Sequence, residues 1–172
     1  MPDGLEFSDA TALMHAGVCA WIALVETAGV LPGMHVLIHG GAGAIGGMAV
    51  QIAHHLGARV TATCRSANSD YAAGLGADAV IAYDRADFAD EVADVDVVLD
   101  LVGGDLHERS CRVLRPGGIL VYLIAEPFED RSAAYGVELR QTDIHDDKVV
   151  LEKVVALAAD GTPTDQVCAT CH

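Results

Sequence analysis

Residues 41 to 46 read Gly41-Ala42-Gly43-Ala44-Ile45-Gly46. Glycines at that spacing let a backbone approach an anion that side chains would hold away. The motif directly follows an apolar run, His35 to His39, and opens a segment with helical patterning, Ala44 to Leu56. In that setting Gly41 is expected to allow a tight turn, Gly43 to admit a pyrophosphate, and Gly46 to let the helix close on a sheet. The first amides of a helix have no partner within it and carry partial positive charge, which suits a diphosphate. The chemistry indicated is the holding of a dinucleotide.

The discriminating position in such a domain lies about 20 residues further on, at the tip of the second strand. An acid there would bond a ribose 2′-hydroxyl. Here the tip reads Thr63-Cys64-Arg65-Ser66, with no further acid until Asp70. Arg65 is expected to pair with a 2′-phosphate and Ser66 to donate its hydroxyl to it, so NADP(H) is the cofactor expected. Val102-Gly103-Gly104 follows the fourth apolar run, where glycines would let the backbone approach the ribose or nicotinamide. Asp96 and Asp100 bracket that run and are expected to cap its ends rather than to do acid–base work.

Other constellations point elsewhere. Cys168-Ala169-Thr170-Cys171-His172 has the spacing of a haem-attachment motif. It lacks an export signal and a cytochrome domain after it, so a metal-binding or irregular tail is the expectation. The lysines, Lys148 and Lys153, form no Tyr-x-x-x-Lys pair, and no G-x-S-x-G elbow occurs. His54 and His55 are expected as a surface pair on a helix. No catalytic residue is nominated.

The elements that must position these residues alternate. Apolar runs at His35–His39, Arg59–Thr63, Ala79–Ala82, Asp96–Asp100, Ile119–Ile124 and Val137–Arg140 predict strands. Helices are predicted at Ser8–Gly29, Ala44–Leu56, Asn68–Leu75, Leu106–Leu114 and Asp147–Ala159. The runs are continuous rather than alternating, as in strands covered on both faces. The fold class predicted is α/β, a doubly wound parallel sheet of Rossmann type, as a single domain. Residues 1–34 are read as a leading helix and turn, 35–160 as the dinucleotide-binding domain, and 161–172 as an irregular tail.

With 172 residues the chain is long enough for one domain, and its net charge of −15 gives no basic face for nucleic acid or an anionic membrane. No leader and no membrane-spanning run is seen, and Cys19, Cys64 and Cys111 sit among apolar neighbours. A reduced, cytoplasmic protein is expected.

Several stretches in order carry a family resemblance. They are Ala20 to Leu24, Leu31 to Gly46, Ala49 to Ala53, Leu75 to Asp78, Asp96 to Asp100, Val102 to Gly104 and Leu114 to Gly118. From about Leu5 to Asp160 the chain resembles the cofactor domain of the medium-chain dehydrogenase/reductase superfamily, nearest its zinc-independent quinone oxidoreductase branch. The resemblance implies that Ala42, Gly43, Ala44 and Ile45 hold the pyrophosphate. It places Arg65 and Ser66 at the adenosine phosphate, Tyr83 beside the adenosine, and Gly104, Leu123, Ile124 and Ala125 near the nicotinamide. Ile124 departs from the glycine usual there. The implied reaction is hydride transfer from NADPH to a quinone or an activated alkene or carbonyl, a small-molecule substrate. Such enzymes carry a catalytic domain ahead of this one, so half a substrate site is expected, completed by a second copy or a partner chain. Zinc-dependent relatives place a cysteine ligand where His15 lies, and no zinc is expected. The alternatives are a non-catalytic nucleotide-binding module or truncated homologue, and a methyltransferase, whose turn before a strand Arg115 to Gly118 also resembles.

Overall fold

A computed structural model describes residues 15–123, 129–145 and 148–159. Six strands form one sheet: β1 (His35–His39), β2 (Arg59–Cys64), β3 (Ala79–Ala82), β4 (Val95–Asp100), β5 (Leu114–Tyr122) and β6 (Glu138–Gln141). Their order is β3-β2-β1-β4-β5-β6, and every pairing is parallel. This is the doubly wound Rossmann sheet. The chain reverses its direction of travel between β1 and β4, and ligands in such sheets bind beyond the strand ends at that reversal.

The helices are α1 (residues 15–27), α2 (Ala44–His55), α3 (Ser69–Gly74), α4 (Phe88–Glu91), α5 (Leu106–Val113), α6 (Ser132–Tyr135) and α7 (Lys148–Ala159). Both sheet faces are covered, which is why the strands are apolar throughout. Val36, Ile38, Val60, Ala62, Val97 and Leu99 face α1 and α2. Leu37, Val98 and Leu120 face the opposite way, with Phe88 of α4 and Cys111 of α5. A strand with period two can satisfy two cores only if both of its residue sets are apolar.

Three departures from the sequence pattern have physical causes. Helix α1 loosens into a π-helical stretch, Ile22–Thr27, where the Ala28 amide reaches the Ala23 carbonyl at 3.0 Å; its predicted start at Ser8 lies outside the described residues. Helices α4 and α6 are each four residues long, too short to show a helical period. Asp87 starts α4 by accepting the Ala89 amide at 2.9 Å. Strand β5 begins at Leu114 rather than Ile119, so the predicted Pro116–Gly118 turn sits inside the strand, opposite a register irregularity between Val95 and Val97.

Candidate nucleotide-binding site

Strand β1 hands over to α2 through Gly40, whose φ of +74° is left-handed and suits glycine. Gly43 donates its amide to the Gly40 carbonyl at 2.9 Å and closes the turn. The turn residue is therefore Gly40, not Gly41 as the motif alone suggests. Gly41 lacks a side chain for another reason: a Cβ there would lie 2.7 Å from the Ala62 Cβ of β2. Its amide donates to the Thr63 carbonyl at 2.9 Å and ties the turn to β2. Gly46 is the tightest position, since a Cβ would stand 2.0 Å from the Gly40 carbonyl oxygen. The first turn of α2 thus closes on the glycine turn itself rather than on the body of the sheet.

Gly43 is the N-cap of α2 and supplies no side-chain cap. Gly43 and Ala44 are exposed at the helix start, while Gly41 and Ala42 are buried behind them. Among the described residues no side chain caps this helix N-terminus, and its first residues line a cleft.

That cleft has a volume of about 530 Å³ and is walled by Gly40, Ala42, Gly43, Ala44, Ile45, Gly46, Cys64, Arg65, Asn68, Tyr83 and Leu101. Of the residues expected from sequence, Ala42 through Gly46, Arg65 and Tyr83 meet there. Arg65 donates from Nε to the Tyr83 hydroxyl at 3.2 Å, across the tips of β2 and β3. Gly40, Cys64, Asn68 and Leu101 were not anticipated; Gly40, Cys64 and Leu101 each adjoin a motif residue in the chain, and Asn68 donates its amide to the Arg65 carbonyl at 2.8 Å.

Ser66 is placed differently from expectation. Its amide and hydroxyl both go to Asp84, at 2.8 and 2.7 Å, and it is absent from the cleft wall. The hydroxyl expected for a 2′-phosphate is thereby donated to a neighbouring carboxylate. The Ser66 hydroxyl, then its amide, hold the Asp84 carboxyl below the usual carboxylate range. Asp84 escaped the sequence reading because it belongs to another strand. The pairing of Cys64 with Ala82 carries Ser66 to Asp84 two residues further on, and that register is visible only in the sheet.

Of the nicotinamide-side candidates, Gly103, Gly104 and Leu123 are not part of this wall. Gly103 and Gly104 both have left-handed φ, +80° and +67°, so their glycines serve the loop's shape. Leu123 packs against the core cluster around α2. Ile124 and Ala125 lie outside the described residues, as do Cys168, Cys171 and His172.

Beneath the strand ends runs a buried polar row. Asp100 is fully buried; one of its oxygens accepts the amides of Val102 and Gly103, each at 2.9 Å, and the other meets His107 Nδ1 at 2.9 Å. Burial pushes its carboxyl up, but His107 and the two amides outweigh that and leave it below the usual range. Asp100 thus caps its strand end as expected. Asp96, at the other end of β4, accepts the His35 amide at 2.8 Å and Arg115 Nε at 2.5 Å. His39, also fully buried, sits beside Asp100 on the same sheet face. The Ser110 hydroxyl donates to the Leu106 carbonyl at 2.6 Å, so its oxygen accepts from His39 Nε2 at 3.0 Å. His39 Nδ1 then accepts the Thr63 hydroxyl at 3.1 Å. Burial pushes the His39 imidazole down to about 4, against the attraction of Asp100 and with the help of Arg109. This neutral histidine is a structural pin for the floor.

The fold and the cleft define a dinucleotide-binding domain of the doubly wound class. Residues 44–145, more than half of the chain, match the family described as zinc-binding dehydrogenase, and the chain belongs to that family within the medium-chain dehydrogenase/reductase superfamily. Polyketide synthase GfsB of Streptomyces halstedii is 38% identical over 173 residues, covering 94% of this chain and 3% of that protein. The crystal structure of CurK enoyl reductase superposes with a TM-score of 0.84 at 26% identity, covering 96% of this chain and 55% of that one. A putative enoyl reductase domain of a polyketide synthase superposes with a TM-score of 0.78 at 28% identity, covering 92% of this chain and 99% of that one. The chain therefore spans a small part of the curated relatives and about half of the CurK chain. Domains of this family bind a nicotinamide dinucleotide. The methyltransferase alternative finds no support in these relationships.

The family description mentions zinc, which needs three or four converging side chains. Among the described residues no three His, Cys, Asp or Glu side chains come together. Among the described residues His15 meets Cys19, with Nε2 and Sγ 3.9 Å apart. The described residues do not fit a zinc site. Among the described residues no helix is long and apolar enough to cross a membrane.

Proposed function

We propose that this chain is the NADP(H)-holding domain of an oxidoreductase that reduces an activated alkene or carbonyl, or a quinone. The observation that carries the reading is the uncapped start of α2 at Gly43, opening on a cleft, with no room for a Cβ at Gly46 in its wall or at Gly41 behind it. Bare amides there fit a diphosphate, and a side chain at either glycine would force them out of place. Arg65 and Tyr83 receive the adenosine end, with Arg65 meeting the 2′-phosphate. The loop Leu101 to Gly104, fixed by Asp100, and the stretch Leu123 to Ala125 flank the nicotinamide end. When bound, NADPH supplies the hydride; this chain binds and orients it. The enoyl reductase relatives favour the activated alkene as acceptor. The substrate half of the site comes from a second copy or a partner chain or domain. The buried thiols of Cys19, Cys64 and Cys111 are unbridged, which fits a reducing, cytoplasmic setting. The domain proper is taken as residues 35–160, with 1–34 leading into it and 161–172 a tail.

Calorimetric titration tests the reading. NADPH is expected to bind in roughly the micromolar to sub-millimolar range typical of such sites. Arg65→Ala should weaken NADPH by about tenfold or more, the worth of a charge-assisted contact, with NADH changed less than about twofold. Equal loss for both nucleotides would defeat the NADP(H) assignment, and no binding of either would defeat the whole proposal. Turnover with a 2-enoyl thioester and with a simple quinone, with and without a candidate partner domain, then separates reductase from binding module.

A further inference from the structure

The adenosine end of the cleft holds opposite charges side by side. Arg65 lines it from the tip of β2. One residue on, Ser66 is bound by both its amide and its hydroxyl to Asp84, which follows Tyr83 at the tip of β3. Tyr83 in turn accepts from Arg65. Three contacts thus tie two loop tips into one unit that carries the Arg65 guanidinium and the Asp84 carboxylate, with Arg85 next to Asp84 in the chain.

We infer that Asp84 is a specificity-determining residue for the pyridine nucleotide: its carboxylate, held by Ser66 at the tip that Arg65 also reaches through Tyr83, opposes a 2′-phosphate and favours a free 2′-hydroxyl. The inference rests on the proposed nucleotide site and adds a second determinant to it. A carboxylate has about four acceptor positions, and Ser66 takes two. Those bonds leave its charge in place, which repels a phosphate carrying up to about two negative charges but not a ribose hydroxyl. Asp84 is exposed just outside the cleft wall, and the Ser66 bonds, with the Arg85 charge, favour its ionised form, so its field acts on the site through space rather than by contact. That field reaches the wall: burial pushes the Cys64 thiol up, Ser69 opposes this by hydrogen bonding, and the Asp84 charge adds to the rise. Arg65 attracts the 2′-phosphate while Asp84 repels it. The wild type is therefore a tempered NADPH binder, not a sharp one.

The experiment is titration of the full chain with NADPH and with NADH, for wild type, Asp84→Asn, Asp84→Ser and Ser66→Ala, at low and high salt. Asp84→Asn keeps the shape and an acceptor for the Ser66 amide while removing the charge. It should tighten NADPH by about threefold to tenfold at low salt and leave NADH within about twofold. The gain should shrink at high salt, because the repulsion crosses solvent. Asp84→Ser, a second neutral replacement, should act in the same direction if Asp84→Asn folds poorly. Ser66→Ala keeps the charge and should leave the NADPH to NADH ratio near wild type. The inference is overturned if both neutral variants leave that ratio unchanged, if they weaken both nucleotides together, or if Ser66→Ala shifts the ratio as much as they do. A wild type that binds neither nucleotide would instead fail the proposed function, and this inference with it.

Discussion

His39 shows how one residue can couple the floor of the cleft to pH. Its imidazole is buried, neutral and bonded at both nitrogens, with its folded value pushed from 6.5 down to about 4. The unfolded chain protonates near 6.5, so above that pH the residue carries no penalty. As pH falls from 6.5 to about 4 the unfolded state takes the proton and the folded state does not, and stability falls. The full loss by pH 4 is about 3 kcal/mol from this residue alone. Denaturant melts at pH 7, 5.5 and 4.5 should show that decline, and His39→Gln should have a shallower one. An unchanged slope in the variant would mean that His39 is hydrated or charged in the folded state. The buried carboxyl of Asp100 adds to acid loss only at lower pH, because its folded value lies below the usual carboxylate range.

At the scale of the element, the turn from β1 into α2 separates glycines that hold the fold from glycines that keep the cleft open. Gly46→Ala gains up to about 1 kcal/mol of helix propensity. Against that, its Cβ would stand 2.0 Å from the backbone oxygen of Gly40, which has no soft way to move. Overpacking of that kind costs about 3 kcal/mol or more, so the clash wins. A lowered Tm and lost nucleotide affinity are expected together. Gly43→Val differs, because Gly43 is exposed, its φ of −79° is open to any residue, and a Cβ would meet nothing nearer than Gly40 oxygen at 3.3 Å. Its stability should stay within about 1 kcal/mol of wild type, the small loss coming from a poorer N-cap. Nucleotide affinity should nonetheless fall more than about tenfold, because the side chain covers the helix amides. Thermal melts beside titrations check the pair; equal destabilisation of the two variants would refute the division.

For the molecule as a whole, the net charge of −15 sets a background against which the site must work. Like charges across a folded surface repel, and salt screens them. Raising ionic strength from about 0.01 to 0.15 M shortens the screening length from about 30 to 8 Å. The Tm is expected to rise by a few degrees over that range, and a fall would show that exposed ion pairs such as Arg131–Glu129 and Arg140–Glu138 outweigh the repulsion. The acidic surface also disfavours an anionic cofactor at a distance. On the proposed reading, binding depends on local amides and Arg65, which act within the cleft where the long-range field is weakest compared with contact terms.

The sheet and its order follow from local pattern. Six apolar runs separated by helical stretches have few ways to bury both faces, and right-handed crossovers leave little besides this winding. The glycine motif was legible for the same reason, since its meaning depends on the strand before it and the helix after it, both local. Which glycine turns and which makes room was not legible. That depends on how closely Ala62 of β2 and the Gly40 carbonyl approach, and those distances exist only once strands and helix are packed. Asp84 was hidden for a related reason. Chain order put it 18 residues beyond Ser66, and only the register of β2 on β3 brings the two together. Local chemistry is written in consecutive residues. The charge gathered at the Arg65 end of the cleft is a sum over neighbouring strands, and only the folded sheet performs it.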